Sequence, residues 1–554
     1  MWYRRSFIMR YGFLILLTLS AITLGIVLTS PLPTMDGGAR PPLVKLERDY
    51  EPDNIYFDPA WRILPQSWRP YITRTEPAEF QNLIADETPC REVQTTSSEA
   101  DIVGEGTMQN EVSLAVSGST IVVTYNDDNE INSANSVSGF SVSTDGGKTF
   151  TDRGAIMPSN DYFGGGDPMI VADPYDPNHF IYLQLTYNVQ LRPDTYSPSS
   201  IVLHHSYDGG QTFLPENSID VLQGKRHPDK PSEPAVSGKG FHDKEWMSYD
   251  PVNNTVIISW SYFYQQLDGT DEAFPAILVS RDGGYTFDDP VNPLPQGQWG
   301  GLVATATGPN GELYVVFNDF QTSRLLFTRS LDGGTTWEGP FQATGIFQQP
   351  GYFGRCGYYF RIVLKGNIRI TSIPSMAVDP VTGEIYVVYN YMPDSDNSDA
   401  QYTYDPNTDY SNIAFIRSSD QGATWSSPVT INDDTTLTDQ FMPWVASAGD
   451  GNVAVMFYDR RNDPTNTLMH VYLARSFDGG RTWLRNQPVT CQAFPPAADA
   501  GCYMGDYNQM VVTEDGYHMA WGDNRNLQGG VPNADVFWAK VKIRPHVRPF
   551  NFSD

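Results

Sequence analysis

Ser143-Thr144-Asp145-Gly146-Gly147-Lys148-Thr149-Phe150 decides the fold, because its pattern, S-x-D-x-G-x-T-[F/W], returns five more times along the chain. The other copies run from Ser206 to Phe213, Ser280 to Phe287, Ser330 to Trp337, Ser418 to Trp425 and Ser476 to Trp483. Each reads as a hairpin turn. The Asp carboxylate accepts N–H groups of its own loop, Gly supplies a positive φ, and the terminal aromatic plugs a core. Turn chemistry accounts for all six aspartates, so neither catalysis nor metal binding is assigned to them.

Working outward, each turn is preceded by two short apolar strands separated by a tight turn. These pairs run from Glu111 to Asp127, Asp167 to Tyr187, Glu245 to Phe263, Gly301 to Asp319, Ile373 to Asn390, Met442 to Asp459 and Asp506 to Asp523. Seven strand pairs therefore stand against six turns. A pair plus the strands entering and leaving its turn forms a four-stranded antiparallel meander, which is one propeller blade. The seventh unit takes its third strand from Asp535 to Lys542 and has no turn motif. The fold expected is all-β, a β-propeller with seven blades favoured and six as the alternative. The chain end and a segment before Glu111 are expected to close the ring together. The 47 Gly, 41 Pro and 13% aromatic residues suit many short strands joined by tight turns.

The N-terminus carries Arg4, Arg5 and Arg10 ahead of an 18-residue apolar run from Tyr11 to Leu28. That run reads as a transmembrane anchor or signal peptide, with the arginines held on the cytoplasmic side. The expected layout is a basic region over 1–10, the membrane-targeting segment over 11–28, a Pro-rich tether over 29–103, the propeller over 104–545 and a tail over 546–554. The body is then extracytoplasmic, either anchored or secreted. In an oxidising compartment Cys90, Cys356, Cys491 and Cys502 allow two disulfides in three connectivities. The short spacing of Cys491 and Cys502 favours pairing them and leaves Cys90 for Cys356.

Acidic residues outnumber basic ones by 65 to 36, a formal charge of -29. A field of that sign repels phosphate backbones and anionic lipid, which excludes nucleic acid and restricts membrane contact to the N-terminal segment. A monomer is expected.

The repeated turn resembles that of the Asp-box, or BNR-repeat, proteins of the sialidase superfamily, over roughly Gly104 to Lys542. Three stretches resemble exported bacterial sialidase-like proteins more narrowly: Asp243-Lys244-Glu245-Trp246, then Asp439 to Trp444 with Tyr458 to Asp463, and Gly505-Asp506-Tyr507. The resemblance implies a carbohydrate or glycoconjugate partner and glycoside hydrolase activity. In sialidases it implies a Tyr nucleophile helped by Glu, an Asp acid and three Arg residues gripping the substrate carboxylate. A family Phe-Arg-Ile-Pro motif would precede the first turn; the nearest string here, Phe360-Arg361-Ile362, lies between the fourth and fifth turns and lacks the Pro.

In an antiparallel meander the starts of first strands and the ends of second strands share one face, opposite the repeated turns. That face collects Glu111, Asp167, Glu245 and Asp506 around the channel mouth. Second-strand ends add Asp459, Arg460, Arg461 and Arg525. Carboxylates with a few arginines are what acid/base work on sugars requires. Glu245, Asp506, Tyr507, Asp459, Arg460 and Arg525 are the candidate catalytic set; Glu111, Asp167, Trp246, Arg461 and Trp444 are the candidate substrate-binding set. In the loop from Tyr391 to Tyr410, Asp394, Asp396 and Asp399 have oxygen-donor spacing suited to Ca2+, while the remaining chemistry requires no cofactor. Two other functions stay open: a non-catalytic carbohydrate- or protein-binding surface scaffold, and a polysaccharide lyase.

Overall fold

The computed structural model describes residues 92–96 and 109–543, apart from 128–135, 159–161, 189–198, 231, 237–239, 266–270, 357–358, 367, 394–409, 497–501 and 529–530. The segment from Tyr11 to Leu28 and the aspartates at 394, 396 and 399 lie outside these residues. Among the described residues no helix is long and apolar enough to cross a membrane.

Seven antiparallel sheets follow one another along the chain. The first blade is Gln109–Ser117, Thr120–Asp127, Ser138–Ser143 and Thr151–Ala155. The second is Tyr162–Ala172, Phe180–Asn188, Ser199–Ser206 and Ser218–Asp220. The third has three strands, Gly240–Asp250, Thr255–Gln265 and Asp271–Ser280, with a lone bridge from Ile277 to Val291 in the fourth position. Gly300–Thr307, Leu313–Asp319, Arg324–Ser330 and Glu338–Gln342 make the fourth. Ser375–Val378, Ile385–Tyr391, Asn412–Ser418 and Val429–Thr430 make the fifth. Gln440–Gly449, Asn452–Asp459, His470–Ser476 and Gln487–Pro488 make the sixth.

The seventh blade closes the ring. Its three C-terminal strands, Gln509–Thr513, Gly516–Gln528 and Val531–Val541, receive Val93–Gln94 as the outermost strand, with Val93 opposite Trp538 and Gln94 opposite Phe537. Joining the two ends of the repeat in one sheet removes the open edges an incomplete ring would leave. The fold is thus the seven-blade propeller expected from the strand pairs, and its closing strand lies within the stretch assigned to the tether. Cys491 and Cys502 are both disulfide-bonded; Cys90 lies outside the described residues.

The repeated turns lock neighbouring blades. In the first, Asp145 Oδ1 accepts the N–H groups of Lys148 (2.9 Å) and Thr149 (3.0 Å), while Ser143 Oγ accepts that of Gly147 (2.9 Å). The same bonds recur around Asp208, Asp282, Asp332 and Asp478, and nearly so around Asp420. The second Gly of a turn abuts the preceding blade: a Cβ on Gly147 would overlap the Trp538 ring, and one on Gly422 the Phe327 ring. Sequence placed the aspartates in turn chemistry, and each spends its carboxylate there.

An eighth small sheet, Tyr352–Cys356, Tyr359–Leu364 and Ile368–Arg369, is inserted between the fourth and fifth blades. It carries no repeat signature, but it delivers a side chain to the propeller axis.

Candidate functional site

First strands begin where second strands end, as Gln109 opposite Asp127 and Gln440 opposite Asp459 show. At those starts the innermost strands bulge. Register shifts fall between Asn110 and Ser113, between Gly166 and Met169, and between Asp243 and Trp246. Glu111, Asp167 and Lys244 occupy these bulges with φ of 53°, 52° and 57°. Leu302 and Met442 repeat the bulge in the fourth and sixth blades, with φ of 53° and 51°, so this left-handed backbone is a feature of the blades whose conformational cost surrounding contacts must hold in place. In the first three blades the residues so placed are charged.

Lys244 Nζ lies 2.6 Å from Glu111 Oε1, 3.1 Å from Asp167 Oδ1 and 3.0 Å from Asp506 Oδ2. Its backbone N–H also donates to Asp167 Oδ2 at 3.1 Å. Arg369, from the inserted sheet, donates through Nε to Asp506 Oδ1 at 3.1 Å and through Nη2 to Oδ2, with its guanidinium 4.3 Å from the Tyr503 ring centre. Asn126 fixes the pair next door. Its Nδ2 donates to Glu111 Oε2 at 2.8 Å and its Oδ1 accepts the Asp167 N–H at 2.9 Å. The side chains of Lys244 and Asp167 are 3% exposed and those of Glu111 and Asp506 are 0% exposed.

Burial and crowding push these carboxyls apart in acidity. Desolvation, then the neighbouring Asp167, raises Glu111 well above the ordinary glutamate range. Desolvation also raises Asp167, against the pull of Lys244. For Asp506 burial works upward too, but Arg369 and then Lys244 overcome it and hold the carboxyl well below its usual value. Glu111 and Asp506 are thus driven in opposite directions around one ammonium. Two carboxyls whose acidities are pushed apart by their surroundings are the electrostatic arrangement that acid/base work uses.

The remaining sequence candidates fall in several places. Tyr507 packs against Trp246 (ring centres 4.9 Å apart), Trp246 packs against Trp444 (4.9 Å), and Lys244 Nζ is 5.9 Å from the Tyr507 ring centre. These aromatics, from the third, sixth and seventh blades, fill the axis beside the charged cluster. The Tyr507 hydroxyl is buried without a hydrogen-bond partner. Burial, then Asp167 and Glu111, raises its pKa well above that of a free tyrosine, the opposite of an activated nucleophile. Glu245 is buried with neither carboxyl oxygen hydrogen-bonded, and burial followed by Asp167 raises it well above the usual range.

Asp459, Arg460, Arg461 and Arg525 make their ion pairs outside the Lys244 cluster. Arg461 Nε bonds Asp459 Oδ2 at 2.7 Å, Arg460 Nη1 bonds Asp439 Oδ2 at 3.0 Å, and Arg525 bridges Asp523 (2.6 Å) and Glu92 (2.8 Å). Burial, opposed by Arg461, brings Asp459 up to about 6. Sequence reasoning thus assembled Glu111, Asp167 and Asp506 at the axis and omitted Lys244 and Arg369. Lys244 adjoins Glu245, and the bulge between Asp243 and Trp246 that carries both has no signature in a period of two. Among the described residues no group of three or more His, Cys, Asp or Glu is placed to hold a metal ion.

No protein-family model matches the chain, and no curated protein matches it. Solved structures similar to it include a Hadza microbial sialidase, at 14% identity over 73% of this chain and 73% of that one, with a TM-score of 0.39. An α-L-arabinanase of Penicillium chrysogenum complexed with arabinobiose is similar at 13% identity over 71% and 99%, TM-score 0.37. The intramolecular trans-sialidase from Ruminococcus gnavus is similar at 13% identity over 82% and 98%, TM-score 0.34. The similarity is one of fold, and the roles of individual residues rest on this chain's own geometry.

Proposed function

We propose that the chain is an exported, carbohydrate-active propeller that hydrolyses a glycosidic bond at the axial cluster. The observation that carries this reading is that Glu111 and Asp506 share one ammonium, Lys244 Nζ, while their acidities are driven in opposite directions. In this reading Glu111 donates its proton to the leaving oxygen. Asp506, fixed by Lys244 and Arg369, supplies negative charge near the developing oxocarbenium ion; water then adds to that carbon and gives its proton back to Glu111. The apolar run from Tyr11 to Leu28 would export the body, and the acidic loop around Asp394, Asp396 and Asp399 would take Ca2+.

A test is to incubate the protein with a panel of aryl glycosides and polysaccharides, with and without chelator. Release of a reducing sugar supports hydrolysis, whereas unsaturated products would indicate a lyase. A second reading, a non-catalytic surface scaffold, is favoured by the near-complete burial of the cluster. Absence of turnover across the panel, with binding retained, would replace the first reading by the second.

A further inference from the structure

The face opposite the axial cluster carries a flat aromatic surface at the seam between the second and third blades. Tyr207 and Tyr285 occupy variable positions of consecutive repeated turns, Ser206 to Phe213 and Ser280 to Phe287. Their hydroxyls meet at 3.0 Å. Tyr207 stacks on His179, with ring centres 4.9 Å apart and planes within 7°; Tyr285 stacks on His205 at 4.5 Å and 2°.

The two imidazoles lie side by side in nearly one plane, at 13°, joined from His179 Nε2 to His205 Nδ1 at 2.8 Å. His179 is tied in turn to Asp173 Oδ2 at 2.7 Å, and His205 to the Gly284 carbonyl at 3.3 Å. These small angles put the two tyrosine rings close to a common plane above a fixed histidine floor. His179 and His205 are 4% and 2% exposed, whereas Tyr207 and Tyr285 are 50% and 46% exposed. One face of each tyrosine is therefore covered and the other faces solvent. Tyr175, 61% exposed, also bonds across from the second blade to the third, its hydroxyl donating to the Pro251 carbonyl.

Two half-exposed rings offer far too little area for a protein partner, which needs on the order of 800 Å² per side. A narrow polymer with flat repeating units needs only the rings. The C–H face of a pyranose is apolar and slightly electropositive, which complements the negative face of an aromatic ring, and sugar hydroxyls can reach the phenol edges. The formal charge of -29 disfavours polyanions. We propose that Tyr207 and Tyr285 form a second carbohydrate-binding site, a stacking platform for consecutive pyranose rings of an uncharged polysaccharide. The platform does not depend on the axial cluster being catalytic.

The test is native affinity electrophoresis of the full-length protein in gels containing xylan, mixed-linkage β-glucan or galactomannan, with polygalacturonate as the anionic control. At least one neutral polymer is expected to retard the wild type. Joint replacement Tyr207→Ala and Tyr285→Ala is expected to weaken that retardation about tenfold or more, corresponding to ~1.4 kcal/mol. Tyr207→Phe with Tyr285→Phe, which keeps the rings, and Glu111→Gln, which alters only the axis, are expected to retain it. The proposal is overturned if no neutral polymer retards the wild type. It is equally overturned if the double alanine variant, with a wild-type melting curve, is retarded as strongly as the parent, or if Glu111→Gln rather than the tyrosine changes abolishes binding.

Discussion

Lys244 Nζ sits 2.6 Å from Glu111 Oε1 although the two residues start the inner strands of the third and first blades. The second blade's Asp167 lies between them on the same ammonium, and Asp506 joins from the seventh. One lysine thus ties four blades together at the axis. A buried charge network of this kind is demanding to keep, since each ion has given up water and must be repaid by its partners.

Lys244→Met tests that dependence. It leaves Glu111, Asp167 and Asp506 buried without their shared cation, and is expected to destabilise the fold by about 3–5 kcal/mol in chemical denaturation. Asp506 keeps Arg369, whereas Glu111 and Asp167 are then stabilised by protons, so the deficit should shrink as pH is lowered. An equal loss at all pH values would mean that packing, not charge, is what the lysine supplies.

The repeated turns set the acid limit of stability. Hydrogen bonds from Thr149 and its neighbours hold Asp145 down to about 2, and those from Thr336 do the same for Asp332. A carboxyl lowered in the folded state contributes stability above its ordinary range and loses it as pH falls through the folded value. Melting temperature is therefore expected to drop between about pH 4 and pH 2, and Asp145→Asn with Asp332→Asn should flatten that drop. Glu111 and Glu245 act in the other sense, since their raised values favour the folded state below the ordinary glutamate range and cost stability as pH rises.

Adjacent glycines of one turn separate conformation from packing. Gly146, at φ 75°, has nothing within 4 Å of an added Cβ, while Gly147, at φ 85°, abuts Trp538 of the closing blade. Gly146→Ala should cost about 1–2 kcal/mol from the left-handed backbone alone. Gly147→Ala should cost a further ~1–3 kcal/mol for overpacking, read by urea denaturation.

Tyr507→Phe distinguishes a packing residue from a chemical one. Its hydroxyl is buried and unpaired, so removing it is expected to leave stability within about 1 kcal/mol of the parent or slightly higher. A large fall in turnover with unchanged melting would assign the phenol a chemical role.

The repetitive parts of this molecule were readable. Six turns and seven strand pairs announced the blades because the same local chemistry is written each time, and the count of pairs over turns pointed to closure by an early strand. Glu111, Asp167 and Asp506 were placed on the axis by meander geometry alone. Lys244 escaped because the same meander geometry assigned the channel mouth to its neighbour Glu245, and the bulge between Asp243 and Trp246 has no signature in the sequence. Arg369 escaped because it arrives on an inserted sheet with no counterpart in the repeat. Asp459, Arg461 and Arg525 were selected as second-strand ends, and there Asp459 with Arg461 and Asp523 with Arg525 form local ion pairs.

The most direct test of the axial site is the pH–rate profile of Glu111→Gln beside the wild type, on whichever aryl glycoside the panel shows to be cleaved. The wild-type rate should fall on the alkaline side through a value above the ordinary carboxylate range, as the proton donor is lost. Glu111→Gln should lower kcat about 100-fold or more while keeping its melting temperature. Wild-type turnover in Glu111→Gln, with the same alkaline limb, would contradict the assignment of the reaction to this cluster.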